Sequence, residues 1–179
     1  MGSGTLNFGG SSLESYLENR SYSGWAEYYN VKEEDETTTF HIAVGSVVNP
    51  KIHLGLDISG VSQEASCPRY DPSYYLSPAK VEMQLRNYFV AVSYFPFEKG
   101  LFLKAGGGIS ELTQTTTVFS EQKDKFSGFG YMIGIGYDLR IVKRLHIGIH
   151  ADYSRQTYNS SDAPDDTDFT NIYIALYFY

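Results

Sequence analysis

The chain has 179 residues, a net charge of −7, a mean hydropathy of −0.29 and 16% aromatic residues, of which 16 are Tyr and 11 Phe against one Trp. The acidic balance argues against nucleic acid, because phosphate binding requires a basic face, and the lone Cys67 leaves no internal disulfide and no basis for a structural zinc site. No apolar run reaches the roughly 18 residues of a spanning helix, so any membrane passage must be made by strands.

The length suits one domain, long enough to close a sheet on itself. Met1-Gly-Ser-Gly reads as an expression leader (residues 1–4) ahead of a single domain over 5–179. Period-2 alternation predicts eight strands, in order Thr5–Ser11, Thr37–Val48, Lys51–Val61, Ala79–Phe95, Leu101–Leu112, Ser127–Leu139, Arg144–Arg155 and Asp168–Tyr179. In Lys51–Val61 the apolar set is Ile52, Leu54, Leu56 and Ile58, while His53, Gly55, Asp57 and Ser59 share the other face. Ala79–Phe95 changes phase, with Val81, Met83 and Leu85 on one parity and Tyr88, Val90, Val92 and Tyr94 on the other, which predicts a β-bulge near Asn87. Ser127–Leu139 sets Phe129, Tyr131, Ile133, Ile135 and Tyr137 against Gly130, Met132, Gly134, Gly136 and Asp138. Arg144–Arg155 sets Leu145, Ile147, Ile149, Ala151 and Tyr153 against His146, Gly148, His150, Asp152 and Ser154. The last strand sets Tyr173, Tyr177 and Tyr179 against Ile172, Ile174, Leu176 and Phe178. Such an edge must be buried, or closed into a barrel whose outside is not water.

Long polar connections (Ser12–Glu36, Ser62–Pro78, Thr113–Phe126, Gln156–Thr167) alternate with tight turns at Asn49-Pro50, Pro96–Gly100 and Arg140–Lys143, as in an up-and-down meander with one rim outside the cell. Eight strands enclose little space. Glycine and charge fit that space better than the bulky apolar set, which must then face lipid. The chain thus resembles the small eight-stranded outer-membrane barrels of the OmpA/OmpX type. The likeness rests on Tyr177 and Tyr179 in the last strand, the segment Gly128 to Asp138 and the alternating loop lengths. It implies an all-β, closed antiparallel eight-stranded transmembrane barrel in a bacterial outer membrane, with both termini periplasmic. It also implies lipid partners including lipopolysaccharide, and recognition of the C-terminal Tyr177 and Tyr179 by the barrel-assembly machinery. Members of this family include passive anchors, adhesins, narrow pores and lipid-modifying enzymes, so the resemblance does not fix activity.

The expected lumen set is Glu82, Gln84, Arg86, Lys104, Asp138, His146, His150 and Asp152. Ionisable groups of both signs in a narrow interior read as a paired plug. His150, Asp152 and Ser154 share a face, as a hydrolytic triad might, but His150 and Ser154 are about 13 Å apart along one strand, far beyond hydrogen-bond reach. The Asp162, Asp165, Asp166 and Asp168 cluster lacks the spacing of a calcium loop and reads as a solvated loop. Tyr22, Trp25, Tyr28, Tyr29, Tyr70, Tyr74 and Tyr75 suit either a recognition surface for an extracellular ligand or an interfacial aromatic belt. No metal or cofactor is expected. The reading is a structural or surface-interaction barrel, with a lipid A or phospholipid-modifying enzyme, a narrow pore and a lipocalin-like soluble binder as the alternatives.

Overall fold

The computed structural model describes residues 2–8, 12–13, 15–17, 32–33, 37–67, 70–71, 74–75, 79–98, 100–117, 120–142, 145–160 and 163–178. Eight strands carry the fold: β1 (Gly2–Phe8), β2 (Thr38–Asn49), β3 (Ile52–Cys67), β4 (Ala79–Tyr94), β5 (Leu101–Thr117), β6 (Glu121–Val142), β7 (Leu145–Tyr158) and β8 (Asp166–Phe178). Neighbours in sequence pair antiparallel from β2 through to β8, and β1 returns to pair with β8. Among the described residues no backbone ladder joins β1 to β2. The two lie alongside one another, but β1 pairs only with β8, from Gly2 opposite Tyr173 to Phe8 opposite Thr167. The eight-stranded meander is as expected; its wall is a curled sheet whose seam is not closed by main-chain hydrogen bonds among the described residues.

The wall has two zones, and register shows where they meet. Ile42, Ile58, Tyr88, Ile109 and Phe129 are paired across five adjacent strands and share the outer face, all exposed except the half-buried Ile58. From this row toward the short turns the outer face stays apolar, with Leu54, Leu56, Val90, Val92, Leu103, Ile133, Ile135, Ile149, Ile172 and Ile174 all exposed. Exposed rows of this kind are stable only against lipid. The next outward row toward the long connections is Phe40, Gly60, Arg86, Glu111 and Ser127, and there the outer face turns polar at Arg86, Glu111 and Ser127. The inner face inverts with it. Leu6, Val61, Ala65, Val81, Met83, Leu85, Leu112 and Phe169 form a buried apolar core at that end, as in a barrel standing in water. Leu13 and Leu17, from a helical turn after β1, fill its mouth at 0% and 3% exposure. Ser12 caps this turn: the Ser15 amide donates to its Oγ at 3.3 Å and the Tyr16 amide to its carbonyl at 2.9 Å.

This inversion corrects three expectations. The strand register of β4 runs unbroken through Asn87, so there is no bulge there; the chemistry of the two faces changes, not the phase. Glu82, Gln84 and Arg86 therefore face outward above the lipid zone, because Val81, Met83 and Leu85 are the buried set. Three of the four polar connections are also shorter than expected, since β3 runs to Cys67, β5 to Thr117, β6 starts at Glu121 and β7 runs to Tyr158. A strand standing in water needs no apolar outer face, so alternation against lipid cannot reveal it.

Candidate functional site

Midway along the wall the interior holds an ionic layer. Lys104 on β5 and Asp152 on β7 both sit opposite Gly134 of β6. With no side chain at Gly134, the ammonium reaches across it: Lys104 Nζ donates to Asp152 Oδ2 at 2.9 Å and lies 2.5 Å from Asp57 Oδ2 of β3. Tyr173 Oη of β8 donates to Asp152 Oδ2 at 2.7 Å and lies 3.3 Å from Lys104 Nζ. His41 of β2 completes the layer, its Nε2 3.1 Å from Asp57 Oδ2 and 3.2 Å from Tyr173 Oη, its ring stacked on the Tyr173 ring at 4.2 Å. Asp57, Lys104 and Asp152 are 1%, 7% and 7% exposed. Burial at that depth requires pairing, and one ammonium shared by two carboxylates supplies it. His41 and Tyr173 also span the β1–β2 seam through side chains, where the backbone does not.

His41, Asp57 and Asp152 bring their ligating atoms within 4.8 Å of one another, but Lys104 occupies the place between the carboxylates that an ion would take. Beside the layer, His41, Ser59, Phe89, Met132, Asp152, Ser154, Phe169 and Asn171 line a cavity with room for about one water molecule. Toward the short turns, tilted rings touch in sequence: Tyr173 and His150 at 4.9 Å, His150 and Phe102 at 4.7 Å, Phe102 and Phe95 at 5.1 Å, and Phe95 and His53 at 4.4 Å. Phe102 lies over Gly136, where a Cβ would stand 2.3 Å from its ring. His150 Nε2 is 3.5 Å from Asp138 Oδ1.

Of the expected lumen set, Lys104, Asp138, His150 and Asp152 are buried on the inner face, and His146 is there half-buried. Glu82 lies outside, where its carboxylate accepts from Ser62 Oγ at 2.8 Å and Gln84 Nε2 at 2.7 Å. These hydrogen bonds, Gln84's first, hold its carboxyl below the usual range, and the nearby Lys123 charge acts in the same sense. Asp57, His41 and Tyr173 complete the layer but were absent from the expected network. Alternation had already put Asp57 on the small and polar face of its strand and Tyr173 on the face opposite Ile172 and Ile174, and His41 alternates with Phe40 and Ile42 in the same way.

His150, Asp152 and Ser154 do not form one hydrogen-bonded unit. Asp152 is held by Lys104 and Tyr173, and Ser154 Oγ donates to the Phe169 carbonyl at 3.5 Å and accepts from Gln156 Nε2 at 2.8 Å. Tyr70 pairs with Tyr75, and Asp71 with Tyr74, in a two-stranded hairpin. Tyr22, Trp25, Tyr28, Tyr29, Tyr179 and Asp162 lie outside the described residues, and for Tyr177 only the strand position, opposite His146, is described.

The model for the outer membrane protein beta-barrel domain matches residues 4–178. The chain belongs to that family. Its barrel is therefore an outer-membrane one, and the exposed apolar zone is the part that meets the bilayer. No curated protein matches the sequence. Among solved structures it is similar to the outer membrane protease OmpT from Escherichia coli, with 8% identity and a TM-score of 0.40 over 80% of this chain. The match spans 63% of that protease's length.

Proposed function

We propose that the protein is a non-conducting outer-membrane barrel with a structural or surface-interaction role, its termini toward the periplasm and its long connections outside the cell. The observation that carries this reading is the interior. The Asp57–Lys104–Asp152 layer blocks the middle, and the Leu13 and Leu17 stopper with its apolar core blocks the outer end. A wall sealed twice is suited to presenting loops and spanning the membrane rather than to passing solutes. Its partners on this reading are outer-membrane lipid including lipopolysaccharide, the assembly machinery through Tyr177 and Tyr179, and a ligand at the Tyr-rich connections.

Two measurements test it. Planar-bilayer recordings of the refolded protein should show no steady conductance, and large stable channels would establish the pore reading instead. Replacing residues 20–30 by a short Gly-Ser turn, which spares Leu13 and Leu17, should leave the heat-dependent gel shift intact and abolish surface binding, since long loops contribute little to barrel stability. An intact phenotype without the loop, together with loss in His150→Asn, would favour a lipid-modifying enzyme.

A further inference from the structure

A second polar group lies in the lumen nearer the short turns and takes no part in the ionic layer. His146 and His150 stand four residues apart on the inner face of β7, with Gly148 midway between them and Asp138 of β6 directly opposite Gly148. A Cβ at Gly148 would stand 2.2 Å from Asp138 Oδ1 and 2.8 Å from His150 Nε2. The two ligating atoms therefore converge on the space the glycine leaves. Their separation, 3.5 Å, matches the roughly 3.4 Å between two ligands of one tetrahedral ion at bonds of about 2.1 Å. Asp138 is 8% exposed, and its Oδ1 accepts no hydrogen bond among the described residues. Its ionic neighbour is His150 itself, at 3.5 Å beyond ordinary hydrogen-bond distance, so a cation seated between the two would satisfy both. His146 lies about 6.6 Å along the strand from Gly148, a span covered by a histidine side chain plus one metal bond.

We propose that His146, His150 and Asp138 form a site over Gly148 for one divalent transition-metal ion of the Zn²⁺ class. Imidazole nitrogens with a single carboxylate select such ions over Ca²⁺ or Mg²⁺, which require more oxygen. The ring contacts of His150 with Phe102 and Tyr173 fix its imidazole, and the partial exposure of His146 gives the ion a route in from the short-turn end. The site is independent of the proposed function.

The test uses the full chain without a polyhistidine tag, folded in detergent and stripped with chelator, titrated with ZnCl₂ by calorimetry. One ion per chain is expected, with binding at least about tenfold weaker in His146→Gln and in His150→Gln. His146 is half-buried, so its variant should fold, and the gel shift confirms this. Cu²⁺ in the same protein should show two coupled imidazole nitrogens by electron paramagnetic resonance. No saturable binding to the folded protein would overturn the proposal. So would wild-type affinity in the double variant, which would place the ion on the loop aspartates.

Discussion

Lys104→Met tests the ionic layer most directly. The ammonium is 2.5 Å from Asp57 and 2.9 Å from Asp152, two carboxylates at 1% and 7% exposure. Methionine keeps most of the side-chain volume but removes the charge, so both carboxylates are left without their shared cation. Only His41 and Tyr173 remain beside them. Breaking a buried pair by deleting one partner costs about 3–5 kcal/mol, most of it the penalty of the stranded charge. With two stranded carboxylates the upper half of that range is expected. The assay is reversible urea unfolding in detergent micelles, followed by the far-ultraviolet circular dichroism of the strands and by the heat-dependent gel shift. If the cost arises from stranded charge, adding Asp57→Asn and Asp152→Asn to Lys104→Met should recover most of it, since a neutral layer of similar volume has nothing to desolvate. A Lys104→Met protein within about 1 kcal/mol of wild type, or a triple variant no better than the single, would refute the reasoning.

Four further outcomes follow from the two-zone wall. Ile133→Arg, at a lipid-facing position 56% exposed, should cost about 2–4 kcal/mol if it sits near mid-membrane, whereas tolerance comparable to Thr157→Arg would mean the faces are misassigned. Gly134→Ala puts a Cβ 2.0 Å from Asp152 Oδ1 and should cost about 1–3 kcal/mol by forcing that carboxylate off Lys104; Gly107→Ala, whose Cβ would meet only one atom at 3.4 Å, is the mild control. Arg86→Ala should change unfolding stability by less than about 0.5 kcal/mol because the side chain is outside and exposed. Glu82 has a carboxyl held below its ordinary value of 4.5, so its contribution is fully present above that value and is lost as pH falls through the lower folded value. Acid titrations of unfolding should therefore be flatter in Glu82→Gln than in wild type.

The strand count, their order and the outward set of the lipid zone were legible because lipid imposes strict alternation, visible in Ile133, Ile135 and Tyr137 against Gly134, Gly136 and Asp138. The ends of the strands were not. Thr113–Thr117 and Glu121–Phe126 carry no apolar face of their own and read as loop, yet they continue the β5–β6 ladder to Thr117 opposite Glu121. For the same reason Glu82, Gln84 and Arg86 were assigned to the lumen. They share parity with Tyr88 and Val90, and only the knowledge that the solvent changes between Arg86 and Tyr88 reconciles polar and apolar residues on one face. The ionic layer was half legible: Lys104 and Asp152 stood out as charges among glycines, but their meeting with Asp57, His41 and Tyr173 depends on contacts between strands remote in sequence.

The row Gly60, Arg86, Glu111 and Ser127 lies one outward step, two residues or about 6.6 Å of strand, beyond the row Ile58, Tyr88, Ile109 and Phe129. The protein thus carries its own waterline. Sinking by one step would drag Arg86 and Glu111 into hydrocarbon, and rising by one would lift four large apolar side chains into water. Vertical position is fixed at this edge, so a bilayer thicker or thinner than the wall must adjust at the opposite rim, around the short turns. The barrel should behave as a float pinned at the rim of the long connections, with mismatch felt as local deformation of the leaflet around the short turns alone.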